Sequence, residues 1–525
     1  MNEKIVLIKP KNVFVFSSYP PLELLSVGTV LDEKGYDVRI VNAAAEEDYA
    51  DTLSRECRDA LIVGVTCLTS EIESAIQITD MIKRDFAVPV VWGGWHSTLF
   101  PVQTCNDKNV DFVIVNEGDY SMLRLVESLA GDGPLSEVPG LVYKKGEKVF
   151  VNPTSYVNME QLSLVKYDLV DIEAYSTRRL NDRFSREENV WLPYQSSRGC
   201  PHRCTFCVNT VTNNSKYRTK SPGKVVEEVR TLIARYGITH LRIIDDNFFV
   251  DRKRVMEICD GFVNNGFDIT WDAECRVDYF RPGHLDDELL DLCTRSGLIE
   301  LTLGCESGSQ AVLDLIKKDI TVDEIRNCVK QCHEHNILPR CSFVVGIPGE
   351  RREDILLTAR LVNELRKVEP EMAYGVGTLR PYPGCELVDD LVRKGLFKEP
   401  ETLREWATKK YVRHYTERTH IQPWQSDPGL ANSVSFYYSL AGGVLLANHQ
   451  IESKLARKVN SLFMKSSRNR TEHLFFGLQF DRHLYDFFHK RYLKRLGAPR
   501  RKEDGLVAQC GCDNSCQDGV HKTVR

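Results

Sequence analysis

The chain has 525 residues, 42% hydrophobic and 27% charged, which at roughly 150 residues per domain gives about three folded units and excludes a mainly disordered protein. Lys and Arg number 69 against 74 Asp and Glu, a formal net charge of −5, which excludes a protein that holds nucleic acid by bulk positive charge. The 17 cysteines follow a start, MNEKIVLIKP, that lacks a basic-then-apolar secretion signal. A reducing cytoplasm is therefore expected, where clustered cysteines serve metal or redox chemistry rather than disulfides.

Short apolar runs alternate with helical patterns from the start. Ile5–Ile8, Val38–Val41, Leu61–Val65, Val88–Trp92 and Phe112–Val115 read as buried strands. Leu22–Lys34, Tyr49–Arg58, Glu71–Arg84 and Tyr120–Leu129 read as the helices between them. Continuous Val/Ile runs suit strands covered on both faces, so residues 1–135 are expected to form a doubly wound parallel sheet. Such sheets bind ligands at the carboxyl ends of their strands. The loops there are Ser18–Pro21, Thr66–Ser70, Gly93–His96 and Asn116–Asp119, and Gly93-Gly94 permits close backbone approach. No GxGxxG follows the first strand, which disfavours a dinucleotide. Pattern alone leaves open a receiver-like or flavodoxin-like domain of unspecified ligand.

The stretches PPLELLSVGTVL, GVTCLTSE, VPVVWGGWHSTLFP and VDFVIVNEGDYSMLRLVESL resemble the cobalamin-binding domain that precedes many radical S-adenosylmethionine (SAM) enzymes. The resemblance implies a Rossmann-like cobalamin-binding fold, with contacts from Tyr19, Pro20, Thr66, Thr69, Ser70, Gly93, Gly94, His96, Glu117 and Gly118. The Asp-x-His-x-x-Gly motif that supplies a lower cobalt ligand in other cobalamin enzymes is absent, and His96 is the only histidine before residue 200. Members of this radical family usually bind cobalt without a protein histidine. His96 is accordingly expected as a pocket residue rather than a cobalt ligand.

Residues 136–189 read as a linker with a small hairpin, Leu141–Lys144 and Val149–Asn152, and a charged loop, Ser176–Asn189. The apolar run Val190–Tyr194 then leads into Cys200, Cys204 and Cys207, spaced Cys-x3-Cys-x2-Cys. Three thiolates so spaced can wrap one face of an iron–sulfur cube and leave one iron without a protein ligand. The amino and carboxylate groups of SAM can chelate that open iron, and one electron from the cluster then cleaves the sulfonium to a 5′-deoxyadenosyl radical. A structural zinc site is the alternative, but zinc takes four ligands in paired spacing and no nearby fourth cysteine completes the set.

Strand runs continue at Leu241–Ile244, Ile269–Asp272, Ile299–Leu303, Cys341–Val345 and Tyr374–Leu379. Helical patterns separate them at Val225–Tyr236, Arg252–Asn264, Asp286–Arg295, Val322–His335 and Glu353–Arg366. Residues 190–395 thus predict a partial barrel of six strand–helix units, with active groups at the strand carboxyl ends. Asp245-Asp246-Asn247, Glu274 and Arg276, Gly304–Gly308, Gly346–Glu350 and Arg380–Gly384 occupy those ends. These motifs resemble the radical SAM superfamily. By that resemblance Phe206 and the Gly346–Ile347 backbone flank adenine, and Glu306 meets the methionine amino group or the ribose. Read from the residues alone, Glu306 could be a helix cap and Glu350 a solvated acid in a first helical turn.

The cofactors implied are a [4Fe–4S] cluster, SAM and cobalamin as methylcobalamin. The favoured reaction is methylation of an unactivated carbon of a small-molecule, lipid or tetrapyrrole substrate, with a flavodoxin or ferredoxin as the low-potential electron donor. Radical oxidation or cyclisation, as in the anaerobic magnesium-protoporphyrin monomethyl ester cyclase, uses the same parts. A non-enzymatic cobalamin sensor is the alternative of another class, opposed by the intact three-cysteine motif.

Residues 396–502 read as mostly helical. Residues 428–451 carry no Asp, Glu, Lys or Arg, yet Asn432, Ser433, Ser435, Ser439, Gly442 and Gly443 favour a buried helix pair over a membrane span. Residues 451–502 hold 14 Lys and Arg against 4 Asp and Glu. Within them His473–Leu496 mixes Leu, Phe and Tyr with basic residues, suiting either a docking helix or peripheral contact with the inner membrane face. In the polar tail, 503–525, Cys510, Cys512 and Cys516 are candidate ligands of an auxiliary metal, against a disordered tail with free thiols.

Overall fold

A computed structural model describes residues 3–11, 20–46, 48–175, 190–417, 420–442 and 454–495. Five parallel strands begin the chain: β1 (Lys4–Lys9), β2 (Asp37–Asn42), β3 (Ala60–Thr66), β4 (Val90–Gly93) and β5 (Phe112–Ile114). Side chains alternate between faces along each strand. Ile5 and Leu7 of β1 join one buried cluster with Leu24, Leu31, Leu125 and Val126. Val6 and Ile8 join the opposite one with Leu53, Ala75 and Ile78. Both faces are therefore dry, as the unbroken apolar runs predict.

The sheet does not end at β5. The hairpin β6 (Leu141–Lys145) and β7 (Lys148–Val151) pairs antiparallel onto β5, giving the order β2-β1-β3-β4-β5-β6-β7. The N-terminal sheet is thus mixed rather than parallel throughout. β5 is only three residues long, and the hairpin covers its edge while burying Leu141 and Val142. Beyond the hairpin, Val157, Met159 and Leu162 pack on the N-terminal core, and the Tyr167 hydroxyl donates to the Pro193 carbonyl. The charged loop Ser176–Asn189 lies outside the described residues.

The second sheet holds six parallel strands in the order β15-β14-β13-β12-β11-β8. They are β8 (Trp191–Tyr194), β11 (His240–Ile243), β12 (Thr270–Cys275), β13 (Leu298–Glu306), β14 (Leu338–Val345) and β15 (Ala373–Thr378). β8 and β15 do not pair, so the barrel is open. A two-residue ladder, β9 (Ser197–Arg198) with β10 (Arg218–Thr219), lies between β8 and β11 in sequence. The outer helices start where the chain supplies caps: Ser221, Asp251, Asp286 and Thr321 each accept a backbone N–H three residues on. Six strand–helix units and their order agree with the sequence.

The helix Pro428–Ala441 lies against β15, where Ser435 and Ser439 bond the Val376 carbonyl. The Tyr438 hydroxyl donates to the Ala359 carbonyl. This is a buried helix. No helix among the described residues is long and apolar enough to cross a membrane. Residues 443–453, the second half of the expected pair, lie outside the described residues.

Another C-terminal segment turns back to the start of the chain. Leu403, Trp406 and Tyr415 complete the core on one face of the first sheet. Arg404 bridges Asp80 at 2.7 Å and Asp107 at 2.6 Å, and the Trp406 indole N–H donates to Gln103.

The basic segment is two helices, Lys454–Glu472 and Phe480–Arg495, rather than one pattern from His473. Leu474 and Leu478 adopt positive φ between them. The Arg470 guanidinium donates to the carbonyls of Phe475, Gly477 and Leu478, which fixes the turn. Cys510, Cys512 and Cys516 lie outside the described residues.

Candidate active site

The cysteine loop leaves β8 and is fastened at its root by the two aspartates that follow β11. The buried Asp245 carboxylate accepts from the Ser196 N–H (2.7 Å), the Ser196 hydroxyl (2.5 Å) and the Ser197 hydroxyl (2.6 Å). Asp246 accepts the Gly199 N–H at 2.8 Å. Gly199 has φ +87°, and a Cβ there would sit 1.9 Å from the Lys216 carbonyl oxygen, so only glycine lets the loop close.

Cys204 is buried, and Cys200 and Cys207 are half-buried. Two N–H donors point at sulfur: Asn247 Nδ2 lies 3.7 Å from Cys200 Sγ, and Arg276 Nη1 lies 3.7 Å from Cys204 Sγ. Burial pushes the Cys207 thiol up to about 11 and raises Cys200 as well. Among the described residues no three His, Cys, Asp or Glu side chains form a group suited to a single metal ion. N–H donors aimed at sulfur are what tunes an iron–sulfur cluster. The triad fits that group.

Next to the loop lies a buried ion pair. Glu306 ends β13 with φ +60°, and its carboxylate accepts from Lys318 Nζ at 2.7 Å. It is not a helix cap. The Lys318 ammonium also sits over the Phe206 ring, and its backbone carbonyl accepts from Arg276 at 2.6 Å. Burial presses the ammonium toward neutrality, but the Glu306 carboxylate and the nearby Cys204 together outweigh it and hold the pKa above the usual lysine value. Phe206 and Glu306 are thus brought together by Lys318, which the sequence reading missed. It sits in Lys317-Lys318-Asp319, a run that looks solvated.

Gly346 and Ile347 follow β14, but their N–H groups are not free. Both donate to Glu350 Oε2, at 2.5 and 3.2 Å, and the Gly346 carbonyl accepts from the Trp424 indole at 3.0 Å. Glu350 is 1% exposed and braces the loop rather than meeting water in a first turn. Burial pushes its pKa up to about 7. Gln425 faces Gly346 so closely that a Cβ would meet its Nε2 at 2.3 Å.

Between the two sheets lies a cavity of about 320 Å³. Thr66, Gly93, Gly94, Glu117 and Gly118 line it from the first domain, and Gln195, Arg198 and Asp246 from the barrel. Its floor is apolar, with Leu7, Val91, Ile114 and Met122 around Gly64. A Cβ on Gly64 would come within 2.9 Å of Leu7, so the glycine keeps that floor open. Trp95 and Asn116 are further lining residues. Pro20 is buried and, like Thr69 and Ser70, is not part of the lining. Tyr19 lies outside the described residues.

His96 does not line the cavity either. It is fully buried, with Nδ1 3.2 Å from the Thr69 hydroxyl and its ring against Phe100 and Trp406, both 5.4 Å away. Its ring turns toward the returning C-terminal segment because that segment supplies the aromatic cover. Burial lowers its pKa to about 3, so it is neutral at physiological pH. Between pH 6.5 and 3 the unfolded chain then binds a proton here that the folded chain refuses, and stability falls as pH falls through that window. The slope is about 1.4 kcal/mol per pH unit. A His96→Phe variant should show a correspondingly shallower loss of stability between pH 6 and 4 in urea titrations. Superimposable slopes for the two proteins would disprove this role.

Charge pairs close the cavity rim. Asp119 and Arg198, both shielded from water, meet at 2.7 Å, and Ser26 also bonds Asp119. Glu117 meets Arg218 at 2.8 Å and Arg198 at 3.3 Å, and accepts the Val157 N–H at 2.6 Å. Glu117, expected from the resemblance as a cobalamin contact, thus also ties the domains together.

A doubly wound domain facing a three-cysteine half-barrel across one cavity defines the class: a cobalamin-dependent radical SAM protein. The chain matches the B12 binding domain over residues 13–126 and the radical SAM superfamily over residues 194–362, and it belongs with the proteins that combine the two. It is 28% identical over 406 residues to an uncharacterized methyltransferase of Pyrococcus horikoshii, covering 75% of this chain and 84% of that one. It is 26% identical over 390 residues to the anaerobic magnesium-protoporphyrin IX monomethyl ester cyclase of Rubrivivax gelatinosus, covering 72% and 67%. In fold it is similar to the radical SAM methyltransferase TsrM from Kitasatospora setae, solved with cobalamin and a [4Fe–4S] cluster. The TM-score is 0.63 at 16% identity, over 89% of this chain and 99% of that one. The two domains imply a [4Fe–4S] cluster, SAM and cobalamin.

Proposed function

We propose that this protein transfers a methyl group from methylcobalamin to an unactivated carbon of a small-molecule, lipid or tetrapyrrole substrate. The observation that carries the reading is the shared cavity: the glycine-rich ends of the first sheet and the root of the cysteine loop form opposite walls of one space. Cys200, Cys204 and Cys207 would hold the cluster. Phe206, Glu306, Gly346 and Ile347 would bound the SAM side, and Thr66, Gly93, Gly94, Glu117 and Gly118 the cobalamin side. When bound, the cluster supplies the electron that cleaves SAM and the cobalamin supplies the methyl group.

The protein's own work is positioning and shielding. Side-chain bases poised near neutral pH cannot deprotonate an unactivated C–H, and no such step is asked of any residue here. Asn247 and Arg276 donate to the cysteine sulfurs, Lys318 holds Glu306 against the loop, and Asp246 fixes the loop root. Arg198 and Arg218, clamped by Asp119 and Glu117, set the spacing of the two domains.

Radical oxidation or cyclisation is a second reading, supported by the similarity to the Rubrivivax cyclase. Anaerobic reconstitution followed by mass spectrometry of candidate substrates separates the two. Methyl transfer gives product one methyl heavier together with 5′-deoxyadenosine and S-adenosylhomocysteine. Oxidation gives a hydrogen-depleted product with 5′-deoxyadenosine alone, and that result would replace the methyltransferase reading.

A further inference from the structure

Soluble domains rarely leave contiguous large apolar side chains in water, and where they do the patch commonly contacts something. In this chain such side chains concentrate near the C-terminus. Leu478 is 83% exposed, Phe480 77% and Phe487 54%, and Phe475, Leu484 and Phe488 are also exposed. In the helix Phe480–Arg495, Phe480, Leu484, Phe487 and Phe488 fall at i, i+4, i+7 and i+8, which is one face. The opposite face is the docked one: Tyr485 is buried with its ring against Phe436 and Phe463, and the Arg482 guanidinium sits over Phe436.

The exposed tip is built rather than loose. Arg470 ties the carbonyls of Phe475, Gly477 and Leu478, and its Nε donates to Asp481 at 2.7 Å. Asp481 in turn accepts from the Tyr437 hydroxyl at 2.9 Å and the Ser466 hydroxyl at 2.8 Å. Leu478 and Phe480 are therefore held outward by a network anchored in the buried helix Pro428–Ala441.

Charge selects the occupant. Residues 451–502 carry 14 Lys and Arg against 4 Asp and Glu, in a chain whose net charge is −5. Lys458, Lys465 and Arg468 are exposed and make no ion pair among the described residues. An exposed apolar tip within a segment of surplus positive charge matches the boundary between acyl chains and anionic headgroups: aromatic rings would enter the acyl region and ammonium and guanidinium groups of the segment would meet the phosphates. A protein partner would need a surface both strongly acidic and apolar. We propose that Phe475–Phe488 is a membrane-surface docking tip that seats this protein on anionic lipid. The contact is peripheral and independent of the chemistry assigned to the cavity.

Sedimentation of the full-length protein with vesicles tests it, without any need to load the cofactors. Binding is expected to mixed phosphatidylglycerol–phosphatidylcholine vesicles at low salt, with weak binding to phosphatidylcholine alone and loss in high salt. The triple variant Leu478→Asp, Phe480→Asp, Phe487→Asp should lower vesicle affinity at least about tenfold. A second variant, Lys458→Glu with Lys465→Glu, leaves the apolar tip intact and should lower affinity by a similar factor, since each basic residue near the surface adds about fivefold. Unchanged circular dichroism establishes that both variants are folded. Failure of the wild type to pellet, or pelleting that the triple variant retains, would overturn the proposal. So would light scattering in which the wild type is a dimer and the triple variant a monomer, which would make the tip a self-association face.

Discussion

Cys204→Ala should lower the iron content of anaerobically reconstituted protein from about four per chain to below about one, and take 5′-deoxyadenosine formation to background. Cys204 is the most enclosed of the three loop cysteines, and its sulfur faces the Arg276 guanidinium. Arg276 keeps its other partners, Asp278 at 2.9 Å and the Lys318 carbonyl at 2.6 Å, so losing the sulfur leaves no buried charge unpaired and the variant should fold. Cys57→Ala is the matched control, because that cysteine is buried in the core of the first sheet, away from the cysteine loop, and should affect neither readout. Four irons retained in Cys204→Ala, or undiminished SAM cleavage, would remove the cluster from this loop.

The second large effect is on stability. Arg198→Met should cost about 3–5 kcal/mol, because it leaves the buried Asp119 carboxylate without a cation, held only by the Ser26 hydroxyl and a backbone N–H, and strips Glu117 of one of its two arginines. Burial raises the Asp119 pKa, and Arg198, helped by the Ser26 hydroxyl and a backbone hydrogen bond, more than compensates, so the folded carboxyl is held below its usual range. The loss should therefore be largest above pH 4 and shrink as acid protonates Asp119. Replacing both partners, Arg198→Met with Asp119→Leu, should recover much of the stability, since an apolar pair of similar volume is not left charged. A single-variant cost below about 1 kcal/mol in urea unfolding would show that the rim pair is solvated and does not hold the domains together.

Both sheets and the cysteine loop were legible in the sequence because their signals are local. Val/Ile runs such as Ile5–Ile8 mark strands buried on both faces, and the spacing of Cys200, Cys204 and Cys207 is short enough to state its own chemistry. What was not legible depends on pairings across long stretches of chain. Lys318 looks solvated in Lys317-Lys318-Asp319 and becomes buried only because Glu306 and Phe206 converge on it. Glu350 reads as a surface acid until the Gly346 and Ile347 amides are seen to need an acceptor. His96 stands in a glycine-rich loop that suggests a ligand, while the ring that claims it, Trp406, is three hundred residues away in sequence. The turn between Leu141–Lys145 and Lys148–Val151 is marked locally by Gly146, but nothing local says that the hairpin continues the sheet at β5.

That long return of the chain bears on how the protein is made. Arg404 meets Asp80 across 324 residues, and Leu403, Trp406 and Tyr415 belong to the N-terminal core. At roughly 5–20 residues per second, the ribosome delivers these residues on the order of 15–65 s after the strands they cover. Through that interval one flank of the nascent sheet, with His96 and Phe100 upon it, has no aromatic lid. The first domain to emerge is thus among the last to be sealed, and truncated chains ending before Leu403 present a sticky flank on which chaperones and aggregation compete.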